Sequence, residues 1–203
     1  QRGGPGSILA LNPETTRQLS YSLDDFELIL HFNPIDFIQV NATVNVGLVR
    51  QVLNLLQVQP TDRVLDLYCG LGNFSLPLAR HASKVLGIEG DAGLVSRAAN
   101  NARLNRLDNT SFMVCDLNQS EWQFMNESWD IVLLDPPRSG AQSIIQQMSS
   151  VTPRRIAYVS CHPATLARDT KELIAQGYHM TAAGIADMFP HTHHVEAIAI
   201  FER

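Results

Sequence analysis

The sequence is short of several things, and each shortage narrows what the chain can be. Its three cysteines, Cys69, Cys115 and Cys161, are spread over 203 residues. They supply neither a disulfide framework nor the paired spacing of a zinc knuckle, so a reducing, cytoplasmic setting is expected. No apolar run approaches the roughly 18 residues of a membrane span. The opening QRGGPGSILALNPETT has no apolar core beside a basic stretch, so it reads as a loop or the cut edge of something longer rather than a signal peptide. Positive charge is not in excess either. Fifteen Lys and Arg against twenty Asp and Glu give a formal net charge of −5, so any grip on a nucleic acid must be local or supplied elsewhere. Metal-ligand patterns are missing too: His191, His193 and His194 have no Cys or carboxylate at a zinc-ligand spacing, and no metal is expected.

What is present is an ordinary globular composition, 45% hydrophobic and 17% charged. This length suits one α/β domain burying roughly 70% of its unfolded surface, with little left over. The expected division is an N-terminal appendage over 1–40 and a catalytic domain over 41–203.

The pattern centres on Arg63 to Ala79, RVLDLYCGLGNFSLPLA. A buried strand, a tight glycine turn and a new helical period follow one another there. Gly70 and Gly72 permit the turn, and Asp66 at the strand's end is a candidate hydrogen-bond acceptor for a ligand. Dinucleotide sites want a third glycine, where this chain has Ser75. A ligand without phosphates, ending in an amino acid, suits a single G-x-G better; S-adenosylmethionine fits that description.

Along the rest of the chain, FELILHF and IDFIQVN read as strand-like runs on either side of Asn33-Pro34. A helix is expected over about 44–56, capped by Asn41 or Thr43. KVLGIEG is the next strand, and Glu89 at its tip, 23 positions past Asp66, is the expected ribose ligand. After a helix from Ala92 to about Leu104, SFMVCD delivers Asp116, an acceptor for an adenine amino group. DIVLLDPPRSG then brings Asp135 to the same crevice as Asp66 and Glu89. RRIAYVS delivers Cys161-His162-Pro163 at the start of another helix, and two final strands flank the histidine turn. These βα units predict a doubly wound, mostly parallel sheet with an antiparallel edge at its C-terminal end.

Chemistry concentrates at Cys161. A thiol between strand tip and helix N-terminus is expected to have a lowered pKa, and thiolate addition to carbon 6 of a pyrimidine would make carbon 5 nucleophilic. Removing the carbon-5 proton afterwards requires a base, for which Glu196 on the last strand is the candidate. Arg138 stands where an aromatic residue follows Asp-Pro-Pro in amino-group methyltransferases. Arg154, Arg155, Arg168 and Lys171 are candidates for a local basic surface.

On DFIQVN, VLDLYCGLGNFSLPLA, GIEG, LLDPPRSG, YVSCHPATLARD and DMFPHTHHVE, the chain resembles the RNA (uracil-5-)-methyltransferase family, most of all its 23S ribosomal RNA branch. The resemblance implies a Rossmann-like class I fold dependent on S-adenosylmethionine. It puts the methyl-donor site on Gln39, Tyr68, Asn73, Glu89, Asp116 and Asp135, the nucleophile on Cys161 and the proton-abstracting base on Glu196. His162 departs from the family's usual Asn. The family's N-terminal RNA-binding barrel and the four cysteines of its iron-sulfur cluster have no counterpart in this sequence, so a monomeric catalytic fragment is expected, with any cluster confined to a missing N-terminal region. PATLARD and DMFPH favour 23S rRNA over tRNA as substrate. An amino-group methyltransferase using the DPP segment and a non-catalytic S-adenosylmethionine-binding module stay open as alternatives.

Overall fold

The computed structural model describes residues 18–119 and 122–203; the reading of the first sixteen residues lies outside this range. Strands β1 (Leu19–Leu23) and β2 (Leu28–Phe32) form an antiparallel hairpin. After helix α1 (Ala42–Leu56) the chain alternates: β3 (Arg63–Leu67), α2 (Ser75–Ala79), β4 (Lys84–Glu89), α3 (Ala92–Leu104) and β5 (Thr110–Val114). Then come β6 (Ile131–Leu134), α4 (Gln142–Gln146), α5 (Met148–Val151), β7 (Arg155–Ser160), α6 (Pro163–Ala175), β8 (His179–Ala186) and β9 (Glu196–Glu202). Seven of these strands make one sheet in the order β5-β4-β3-β6-β7-β9-β8.

The central strands are nearly continuous Val, Leu and Ile because both faces are covered. On one face Val64, Ile131 and Leu133 pack against Leu48, Val52 and Leu56 of α1. On the other, Leu65, Val132 and Leu134 meet Phe124, Trp129, Ile144 and Met148. Strand order reverses between β3 and β6, and the crevice outside the carboxyl ends of strands at such a point is where open α/β sheets bind ligands.

One expectation of the fold is met and one needs correction. The antiparallel C-terminal edge is there: β9 runs antiparallel to both β7 and β8 and lies between them, leaving β8 outermost. Its residues are buried from Glu196 to Phe201, whereas most of β8 is exposed, so the strand with the unbroken apolar run over 197–201 takes the covered position. Residues 33–41, by contrast, form no strand. Asp36 turns this segment, its carboxylate accepting from the Asn33 N–H at 2.7 Å and pairing with Arg97. The partner of β2 is instead LSYSL, a five-residue alternation without β-branched residues that sequence reasoning missed.

The hairpin is sewn to the domain. The Asn101 amide accepts from the His31 N–H at 2.9 Å and donates to the carbonyls of His31 and Leu71, at 3.1 and 3.2 Å. Asn105 makes the same two-way contact with Ile29. Leu23, Leu28 and Leu30 bury against Leu71, Leu76 and Ala102. Residues 19–32 therefore reach the back of the glycine turn.

Candidate active site

The turn after β3 is built from left-handed backbone. Tyr68, Gly70 and Gly72 have φ of 65°, 55° and 101°. A Cβ on Gly72 would sit 3.1 Å from Leu76, whereas at Gly70 there is open space, so Gly70 is needed for its conformation alone. Tyr68 adopts the same region without being glycine, which costs of order 1 kcal/mol and fixes its ring at the cavity wall.

A cavity of about 580 Å³ opens in front of this turn, a size suited to a nucleoside-like ligand. Nine of the ten sequence-predicted residues line it: Gln39, Tyr68, Gly70, Asn73, Glu89, Asp116, Asp135, Cys161 and Glu196. Asp66 does not. It is fully buried behind the turn, accepts a hydrogen bond from the Ser75 hydroxyl, and is pushed up to about 7 by burial. Its Oδ2 braces the turn through Ser75, while its Oδ1 is buried with no hydrogen-bond partner.

At one end of the cavity, backbone donors set the acceptors. Glu89 takes N–H bonds from Gly70 at 3.1 Å, Gly90 at 2.7 Å and Asp91 at 3.1 Å. Asp116 accepts from the Asn118 N–H at 2.9 Å and its side-chain amide at 3.0 Å, contacts that hold it below the usual carboxylate range. Gln39 has its Oε1 buried without a hydrogen-bond partner, the mark of a group awaiting a ligand donor. Asn73 is less free than the sequence implies. Its Oδ1 accepts from Tyr21 Oη at 3.0 Å and Asn45 Nδ2 at 2.9 Å, while its Nδ2 donates to Asn45 Oδ1 at 2.9 Å. One amide N–H is left for a ligand. Tyr21, which sequence reasoning missed, brings the hairpin into the cavity wall.

The other end is a buried acidic corner. Glu196 is 3% exposed and burial pushes it up to about 7. Asp135 is raised well above the carboxylate range by burial, with Glu196 and Asp66 adding repulsion. Cys161 is also raised, first by burial and then by the charges of Glu196 and Asp135, with Arg138 opposing. This reverses the expected lowering by the helix N-terminus. Cys161 lies one residue outside α6: His162 is the N-cap, its ring and carbonyl accept from Thr165, and Pro163 brings no N–H. The Thr165 and Leu166 N–H groups of the first turn are thus already committed to His162.

The expected basic surface is largely neutralised. Arg154 pairs with Asp62, Arg155 with Glu202 and Arg168 with Asp169. Arg138 does face the cavity, 3.5 Å from His194 Nδ1. Among the described residues no group of three or more His, Cys, Asp or Glu is placed to hold a metal ion, and no helix is long and apolar enough to cross a membrane.

Comparison with known proteins bears directly on this arrangement. Residues 9–203 match the family described as tRNA (Uracil-5-)-methyltransferase. The chain belongs to that family. Over 206 residues it is 52% identical to the 23S rRNA (uracil(1939)-C(5))-methyltransferase RlmD of Xanthomonas axonopodis pv. citri, and over 208 residues it is 53% identical to the RlmD of Nitrosococcus oceani. Both matches cover 100% of this chain and 46% of the relative, so the family member described here spans about half the length of these proteins. Among solved structures, Pyrococcus abyssi tRNA (uracil-54, C5)-methyltransferase in complex with S-adenosyl-L-homocysteine is 32% identical, with a TM-score of 0.79 over 91% of this chain and 44% of that one. M. jannaschii TYW2, solved with AdoMet, shares the fold at 16% identity and a TM-score of 0.65, covering 92% of this chain and 86% of that one. The architecture is that of S-adenosylmethionine-dependent methyltransferases, α/β with a mostly parallel seven-stranded sheet.

Proposed function

We propose that this family member transfers a methyl group from S-adenosylmethionine to carbon 5 of a uridine in 23S rRNA, through a covalent adduct on Cys161 resolved by Glu196. The observation that carries the reading is a single cavity with hydrogen-bonded carboxylates, Glu89 and Asp116, at one end and a thiol flanked by buried carboxyls at the other. The RlmD relatives, at 52–53% identity over the whole chain, favour 23S rRNA over tRNA. Residues 41–203 are read as the catalytic domain, acting as a monomer in the cytoplasm.

The donor set fits the cofactor. Four carboxyls and one arginine line the cavity, a balance that favours a cationic ligand, and the buried Gln39 Oε1 has capacity for a hydrogen bond. Glu89 and Asp116 would hold ribose hydroxyls and the adenine amino group, Gln39 and Asn73 the remaining polar atoms, and Tyr68 an apolar wall. Bound S-adenosylmethionine supplies the methyl group on a sulfonium.

The chain's own residues do the rest. Once the Cys161 thiol has released its proton to solvent, the thiolate forms a bond from sulfur to carbon 6 of the uracil, and the displaced π electrons make carbon 5 the nucleophile that takes the methyl group from the sulfonium. Glu196 then removes the carbon-5 proton, and those electrons re-form the double bond as the carbon–sulfur bond breaks and the thiolate leaves. With Glu196 near 7, the carboxylate form needed for that step is available at neutral pH.

Methyl-labelled cofactor and a 23S rRNA fragment, followed by nucleoside analysis, test the reading. Label is expected in 5-methyluridine. Glu196→Gln should slow turnover by about 10²- to 10⁴-fold, and Cys161→Ala should abolish it; label in a methylated amino group would refute the assignment.

A further inference from the structure

Directly behind the acidic corner lies a buried carboxylate that the reaction above does not use. Asp169 on α6 is 1% exposed. Its Oδ2 accepts from the Ala141 N–H at 2.8 Å and from the Tyr158 hydroxyl at 2.7 Å. Its Oδ1 accepts from Arg168 Nε at 2.8 Å and also from the guanidinium's Nη2 at 2.7 Å. That same Nη2 reaches on to the Ser139 carbonyl at 2.9 Å.

These contacts share one object. Ser139 and Ala141 belong to the loop after β6, which carries Asp135 and Arg138; Tyr158 lies three residues before Cys161 on β7; and Arg168 and Asp169 belong to the helix that begins just beyond Cys161. The loop is stiffened by Pro136-Pro137 and closed by a Gly140 N–H to Pro137 carbonyl bond at 2.9 Å. It also fits α6 without slack. Gly140 has φ of 81°, and a Cβ there would lie 2.5 Å from Arg168 Nη2, 2.7 Å from Asp169 Oδ2 and 3.1 Å from Thr165 Cβ.

We propose that Asp169, with Arg168, is the positioning residue of the reaction centre: it clasps the loop from Asp135 to Ala141 onto α6 and so holds Arg138 at the cavity wall it shares with Cys161. This rests on the functional reading above. The hydrogen bonds of Asp169 go to Arg168, to Tyr158 and to the loop after β6, so its work falls chiefly on the reacting end. Asp135 is independently fixed by its N–H to the Leu67 carbonyl at 3.3 Å, whereas Arg138, three residues further on, has only the loop's attachment to α6 and a 3.5 Å contact with His194 Nδ1. A two-way fork between a carboxylate and a carbonyl is also something a lysine cannot reproduce.

The test uses the whole chain with Asp169→Asn, Arg168→Lys and Gly140→Ala. Arg168→Lys retains charge at a half-exposed position, and Gly140→Ala displaces the loop from the opposite side, so both inform the question should Asp169→Asn fold poorly. Two readouts are needed: kcat and cofactor KM on the rRNA fragment, and the pH profile of Cys161 alkylation followed by mass spectrometry, which requires no RNA. A fall in kcat of about 10- to 100-fold with cofactor KM within about twofold is expected, the signature of lost positioning rather than lost binding. The alkylation midpoint should move up by about half a unit or more as Arg138 withdraws. Unchanged kcat and midpoint would overturn the proposal, as would a kcat loss matched by loss of cofactor affinity. Should the unmodified chain fail to methylate the RNA, the functional reading fails, while the alkylation profile still decides whether the clasp holds Arg138.

Discussion

At the scale of single residues, the same burial that places Glu196 beside Cys161 also makes the fold sensitive to pH. Glu196 ordinarily titrates near 4.5 and is pushed up to about 7; Asp66 moves from 3.8 to about 7. Between these values the folded chain keeps a proton that the unfolded chain has released. Protonation therefore favours the native state, in full below about pH 4.5, and the benefit is lost as pH rises through 7. The melting temperature should fall between pH 5 and pH 8. Glu196→Gln should remove part of that slope, about 3 kcal/mol at most at pH 8, and a slope identical in the variant would contradict the placement. Activity runs the other way, rising with pH as Glu196 ionises. Residue identities were largely legible in the sequence because all the candidates but Gln39 stand at a strand end or in the turn just beyond one, a position that spacing reveals. Two things were not. Asp66 carries the right residue type at the right strand but turns inward to Ser75, and the state of Cys161 depends on Asp135 and Glu196, 26 and 35 positions away.

At the scale of elements, buried strands and capped helices could be read directly. Asn41 and Asp91 accept from the Val44 and Leu94 N–H groups at the starts of α1 and α3, as short polar side chains do. The hairpin was half missed because LSYSL is held by its pairing with β2 and by contacts distant in sequence, Leu23 against Leu71 and Leu76 and the Tyr21 hydroxyl on Asn73. Asn101→Ala would strand the His31 N–H and carbonyl and the Leu71 carbonyl. Thermal or urea unfolding should register a loss of about 1–3 kcal/mol; no loss would mean the hairpin is not held this way. Tyr21→Phe probes the same element from the cavity side. Calorimetry should show weaker S-adenosyl-L-homocysteine binding by about threefold to tenfold, through a loosened Asn73, and unchanged affinity would separate the hairpin from the cofactor site.

At the scale of the whole molecule, the sheet order decides where chemistry happens. The reversal between β3 and β6 gathers Glu89, Asp116, Asp135 and Cys161 from the ends of four parallel strands, and β9, threaded between β7 and β8, swings Glu196 in from the opposite direction. That insertion was invisible in the sequence, since local pattern reports a strand's burial and not its neighbours. The central claim is that one cavity delivers a thiol to carbon 6 of a uridine, and it can be tested with RNA carrying 5-fluorouridine at the target position. Fluorine cannot leave as a proton does, so the adduct cannot resolve. With S-adenosylmethionine present, the account predicts a denaturation-resistant protein–RNA complex that Cys161→Ala fails to form. Cofactor binding without any such complex, or a complex that persists in Cys161→Ala, would contradict it.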